Sequence, residues 1–127
     1  MRSLEQQRAA YAWQKVQDQS RDYRNLVKSA PALVMSNGLM QTLAFLKGKG
    51  KDHHEDLLRH LAEWLEKRNL VKKHVKKDDF ENVMESLYQK DSADYQRATE
   101  EVLAILRWLR HLADTVESTQ KPGEENE

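Results

Sequence analysis

Pro31-Ala32-Leu33-Val34-Met35-Ser36-Asn37-Gly38-Leu39-Met40-Gln41-Thr42-Leu43-Ala44-Phe45-Leu46 is the least polar stretch of the chain, and its reading decides the fold. At about 100° per residue, Leu39, Met40, Leu43, Ala44 and Leu46 spread over a wide arc, while Phe45 points out of the other side. A helix apolar around most of its circumference belongs in the middle of a helical domain. Asn37-Gly38 breaks the chain just before it, because Asn tolerates the left-handed region and can cap a helix, and Gly takes a positive φ at no steric cost. Helix, sharp bend, buried short helix is the expectation, with Asn37, Gly38, Leu39, Leu43 and Phe45 as structural residues.

On the N-terminal side, residues 3–28 lack Gly and Pro and predict one long helix, stopped by Pro31. Ala9, Ala12, Val16, Tyr23, Val27 and Ala30 form its apolar stripe, interrupted by Gln19 and Ser20. A second ladder, Gln14, Gln17, Arg21, Arg24 and Lys28, runs at spacings of 3, 4, 3 and 4 without an acid. It is a candidate phosphate-facing ridge, although three cations on a solvated helix face are also commonplace.

On the other side, Lys47-Gly48-Lys49-Gly50-Lys51 reads as a flexible cationic loop, without the spacing of a phosphate-binding P-loop. Asp52 then opens a helix to about residue 68, with Leu57, Leu58, Leu61, Ala62 and Leu65 facing inward. His53, Asp56 and His60 share one stripe of it, which raises a metal question; no third ligand type supports it, and a chance polar stripe is the plain reading. Lys72-Lys73-His74-Val75-Lys76-Lys77 is a basic connector, and Asp78-Asp79 can cap a short helix carrying Phe80, Val83, Met84, Leu87 and Tyr88. Asp91 and Asp94 mark the start of the last helix. There Tyr95, Ala98, Val102, Ile105, Leu109, Leu112 and Val116 alternate at spacings of 3 and 4, widened into a core face by Leu103, Leu106 and Ala113. Arg107, Arg110 and His111 decorate its last turns, where the helix dipole already favours cations. Residues 117–127 are polar and expected to form a disordered tail beyond a bundle domain of 1–116.

The bulk numbers agree with an all-α single domain. At 127 residues the chain can bury roughly two-thirds of its unfolded surface. No apolar run approaches the ~18–20 residues that span a bilayer, and the absence of cysteine excludes disulfides and thiolate zinc sites. A cytoplasmic protein without membrane attachment is expected. The net charge of zero hides an asymmetry: residues 1–116 carry 20 bases and 17 acids, and residues 47–77 alone carry ten bases and five acids. Such a body can touch phosphates with help from partners, but falls short of a self-sufficient nucleic-acid binder. No nucleophile triad or carboxylate pair stands out.

Pro31-x5-Asn37-Gly38-Leu39-x-Gln41-Thr42-Leu43-Ala44-Phe45-Leu46 also resembles the best-marked segment of a known family, the small α-helical subunit of the type III-B CRISPR effector, the Cmr (RAMP module) complex. Arg8-Ala9-x-Tyr11-Ala12-x4-Val16 is similar to that family's opening. Tyr95-x-Arg97-Ala98-Thr99-Glu100-Glu101-x-Leu103 and Trp108-Leu109-Arg110-His111-Leu112-Ala113 are similar to its close. The resemblance implies a compact bundle of about six helices with no catalytic role, no cofactor and no small-molecule substrate. Its partners would be the backbone RAMP subunits, the large subunit, guide RNA and target RNA, with the guide–target duplex enclosed beside the backbone filament. The basic segments 47–51 and 72–77 are not part of the resemblance.

The residues proposed for RNA contact are therefore Arg21, Arg24, Lys28, Lys47, Lys49, Lys51, Arg107 and Arg110. The alternative is a helical protein–protein adaptor without nucleic-acid contact, anchored by Trp13, Trp64 or Trp108. A helix-turn-helix DNA binder turning at Asn37-Gly38 is disfavoured, because its recognition helix would be apolar where base-reading side chains belong.

Overall fold

The computed structural model describes residues 1–74 and 76–116; the expected tail of 117–127 lies outside the described residues. Six helices follow one another: α1 (Leu4–Val16), α2 (Arg21–Asn37), α3 (Leu39–Lys49), α4 (Asp52–Lys67), α5 (Asp79–Tyr88) and α6 (Ser92–Ala113). No strand occurs among the described residues. α6 packs against both α1 and α2, and α4 lies against α2, α3, α5 and α6.

The long helix expected over 3–28 is two helices. Gln17 leaves α1 in an extended conformation, Asp18 turns left-handed at φ 60°, and Ser20 caps α2 by accepting the Tyr23 N–H at 3.1 Å. Ser20, which interrupts the apolar stripe in the sequence, is thus the start signal of a new helix. The stripe survives the break, since Ala12 and Val16 from α1 and Tyr23, Val27 and Ala30 from α2 are all buried. Pro31 does not stop α2, which runs on to Asn37. A proline inside a helix costs about 3 kcal/mol relative to alanine; here tertiary burial of Val27, Ala30 and Val34 on either side holds the helix together.

The central bend forms as expected. Gly38 has φ 89° and ψ 161°, and its N–H returns to the Val34 carbonyl at 2.8 Å to close α2. Asn37 makes no cap: α3 begins without a side-chain hydrogen bond at its N-terminus. Instead the Met40 N–H donates to the Tyr95 hydroxyl at 3.1 Å, and the Thr42 hydroxyl donates to the Gly38 carbonyl at 2.9 Å. The central helix is buried along Leu39, Thr42, Leu43 and Leu46, with Ala44 and Phe45 on its open side.

The expected loop at 47–51 is also helical for most of its length. α3 continues through Gly48 to Lys49, Gly50 closes it at φ 67°, and Lys51 already stands as the first flanking residue of α4. Aspartates cap the last two helices as expected: Asp78 accepts the Glu81 N–H and Asp91 the Asp94 N–H, each at 2.8 Å.

Candidate functional site

Two of the buried polar side chains, Glu101 and His60, anchor hydrogen-bonded centres inside the bundle. Glu101, buried on α6, receives both prongs of the Arg8 guanidinium at 2.8 Å and the Trp64 indole N–H at 2.9 Å. Arg68 Nε stands 3.6 Å from the same carboxylate. Burial pushes the Glu101 carboxyl up, but the hydrogen bonds from Arg8 and Trp64 and the two nearby cations pull harder, leaving it below its usual value. Sequence reading passed over this centre. A signal was present, because Glu101 lies between Ala98 and Ile105 at spacings of 3 and 4, an acid set into an apolar stripe.

The stripe His53, Asp56, His60 does not act as a unit. His60 is buried; its Nδ1 lies 2.6 Å from the Tyr23 hydroxyl, and its carbonyl accepts the Tyr11 hydroxyl at 2.6 Å. Burial, with help from Lys15 and Arg59, lowers the imidazole to about 4, while burial pushes the Tyr23 phenol up. A neutral imidazole and a neutral phenol therefore share this hydrogen bond. Among the described residues, no three His, Cys, Asp or Glu side chains come together as a metal-binding group.

The cations proposed from sequence fall into two groups, both bordering α2. The expected single ridge from Gln14 to Lys28 is interrupted by the break between α1 and α2, so Gln14 and Gln17 do not continue it. Arg21 opens α2 and is exposed; Arg24 is half-buried, with its Nε enclosed and without a hydrogen-bond partner. Lys28 reaches across to Asp114 at 3.0 Å, just past the end of α6. One turn before Asp114 stands Arg110, which with Arg107, His111, Pro31, Met35 and Leu103 lines a shallow groove between α2 and α6. Lys28, Arg107 and Arg110, assigned to separate ridges in the sequence, thus belong to one packed helix pair, α2 and α6.

The second group occupies the α3–α4 corner. Lys47 is 4.0 Å from Glu55, Lys49 lies 5.5 Å over the Phe45 ring, and Lys51 is exposed at the start of α4. Phe45, expected among the structural residues, keeps 40% of its surface exposed. Beside it, His54 is buried and held below its usual basicity by burial, then by His53, Lys49 and Lys51, with Asp22 of α2 opposing. These lysines are carried on helix ends, so ordering them on binding costs side-chain freedom alone.

Of the tryptophans, Trp64 is withdrawn into the Glu101 centre and offers no interface anchor, whereas Trp13 is half exposed and Trp108 lines a groove between α1 and α6. No helix among the described residues is long and apolar enough to cross a membrane.

Residues 4–116 match the family described as CRISPR-associated protein (Cas_Cmr5). The chain belongs to this family. A Cmr5 relative, the CRISPR system Cmr subunit Cmr5 of Thermus thermophilus, is 31% identical over 121 residues, covering 91% of this chain and 97% of that protein. The protein of the same description from Thermotoga maritima is 32% identical over 112 residues, 87% of this chain and 75% of that one. The crystal structure of a Cmr5 family protein from T. thermophilus superposes with a TM-score of 0.73 at 30% identity, covering 91% and 97% of the two chains. The Cmr5 fold is therefore the fold of this chain. Within it, the opening and closing segments that are similar to the family's meet at Arg8 and Glu101.

Proposed function

We propose that the chain is the small subunit of a type III-B Cmr ribonucleoprotein, a non-catalytic element that lies beside the backbone filament and helps to enclose the guide–target RNA duplex. The observation that carries this reading is the match of residues 4–116 to the Cmr5 family, whose relatives bear the description of a Cmr subunit. The disposition of charge supports it. Arg21, Arg107, Arg110 and the lysines of the α3–α4 corner are exposed on helices or helix ends along the borders of α2. Rigidly carried cations without a deep cleft suit contact with a phosphate backbone, and RNA-guided assemblies leave sequence to base pairing. His60 and Glu101, two buried titratable groups, are taken up by hydrogen bonds within the bundle.

The test is purification of the tagged chain from its native host. Recovery of a guide RNA with a set of larger subunits is expected. Recovery of protein partners without RNA would replace this reading by that of an adaptor, with Trp13 and Trp108 as its anchors.

A further inference from the structure

The α3–α4 corner holds an aromatic ring that the interior does not use. Phe45 lies partly open with the Lys49 ammonium one turn away over its face, and its edge meets the His54 ring at 6.0 Å and 82°. The His53 ring in turn lies 4.1 Å from that of His54, tilted by 37°, so that three rings gather at this corner. A lone exposed phenylalanine is commonplace. This one has Lys49 over it on its own helix and, near the His54 ring that its edge meets, Lys51 at the start of α4, a helix that begins without a side-chain cap. The acids of the corner are few: Glu55 pairs with Lys47, Asp52 opens α4, and Asp22 bears on His54.

A partly open aromatic ring with flexible ammonium groups at hand is a combination by which proteins hold single-stranded nucleic acid, the ring taking a base and the cations the adjoining phosphates. The charge speaks against an apolar protein segment here, since its docking would desolvate Lys49 and Lys51 without supplying a counter-charge. We infer that Phe45 is a stacking platform for one unpaired RNA base, with Lys49 and Lys51 receiving the flanking phosphates. This rests on the RNA-contacting reading above and adds a base contact to it. Lys49 has a flexible four-carbon stem, so it can yield the ring face to the base and move to a phosphate without any backbone change. Because every base has a π-face, the contact tolerates any sequence.

The test compares a short fluorescent oligouridine with an abasic ribose-phosphate oligomer of equal length, on the full chain at low salt and on the assembled complex. The wild type should prefer the oligouridine. Phe45→Ala, at an exposed position where helicity should be unchanged by circular dichroism, should weaken oligouridine binding about tenfold and leave the abasic oligomer unaffected. Phe45→Trp should restore the preference. If Phe45→Ala binds oligouridine like the wild type while Lys49→Ala/Lys51→Ala weakens both oligomers, the corner is a phosphate contact, and stacking is refuted while the RNA reading stands. If neither oligomer binds the wild-type chain or complex, both fall. Loss of a protein subunit from the Phe45→Ala complex with RNA affinity retained would make the corner a protein interface and overturn the inference.

Discussion

Arg8 and Glu101 stand 93 positions apart in sequence and meet through two parallel hydrogen bonds, each 2.8 Å long. The fork of a guanidinium matches a carboxylate in this way and fixes direction as well as distance. Glu101→Gln keeps the shape but removes the charge that Arg8 and Arg68 face, and should lower stability by about 2 kcal/mol in urea unfolding. Arg8→Met/Glu101→Leu should recover part of that loss, because the Arg8 charge leaves together with its acceptor, although Arg68 and the Trp64 N–H still lose the carboxylate. Strict additivity of the single variants would show that the two side chains do not act together.

Acid should weaken the fold in two steps. His60 is held at about 4, below its ordinary value near 6.5, so the unfolded chain binds the proton first as pH falls. Its contribution is complete above about pH 6.5 and fades down to about 4, amounting to roughly 3 kcal/mol. Glu101, also depressed, contributes above the usual carboxylate value and loses that contribution as pH falls through its lower folded value. Denaturation midpoints measured across the range of about pH 4–7 should fall toward acid, and His60→Gln should flatten that part of the profile. A His60→Gln profile parallel to the wild type would assign the slope to other groups.

Gly38 tests the bend. Its φ of 89° with ψ of 161° lies in a region that side-chain-bearing residues scarcely enter, whereas a Cβ placed there would meet only the Tyr95 hydroxyl, at 3.9 Å. The strain of a substitution is therefore backbone strain, not collision. Gly38→Ala and Gly38→Val should both cost about 1–3 kcal/mol in thermal or urea unfolding. Unchanged stability in Gly38→Ala would mean that the bend relaxes into an ordinary conformation.

Within the α2–α6 group, the cations of each helix should separate in their salt response. Arg107→Ala/Arg110→Ala removes charge from the exposed face of α6 and should weaken target-RNA binding by the complex. Every phosphate that is no longer neutralised should flatten the log–log salt slope by about 0.7–0.9. Arg21→Ala/Arg24→Ala/Lys28→Ala should do the same but also cost stability, since Arg24 is half-buried and Lys28 joins α2 to Asp114. A complex that fails to assemble with the triple variant, yet binds RNA normally per intact particle, would make that side of α2 a protein interface.

What could be read from the sequence was whatever depends on periodicity and on local backbone chemistry. The seam Ala98-Val102-Ile105-Leu109 is buried as spaced, and Asp78, Asp91 and Gly38 act where their side chains or lack of one predict. Two errors came from treating breakers as absolute. Pro31 sits inside α2 and Gly48 inside α3, because tertiary burial of Val34 and Leu46 outweighs local propensity. The opposite error was the uninterrupted helix over 3–28, where no Gly or Pro marks a break that Asp18 and Ser20 supply. The pairings Arg8–Glu101 and Lys28–Asp114 were out of reach, since they depend on which helices lie side by side and not on spacing along any one of them.

The Arg8–Glu101 link also sets an order of events during synthesis. α1 finds its main packing partner in α6, and the acceptor of its guanidinium is made 93 residues after Arg8 itself. At translation rates of about 5–20 residues per second, the first helix waits roughly 5 to 20 seconds before that partner exists. Until then the face of α1 that packs on α6 has no cover. On the ribosome, α1 is thus made well before its main partner and is among the last of these helices to be housed, and a nascent chain halted before residue 101 should hold it exposed to chaperones and proteases.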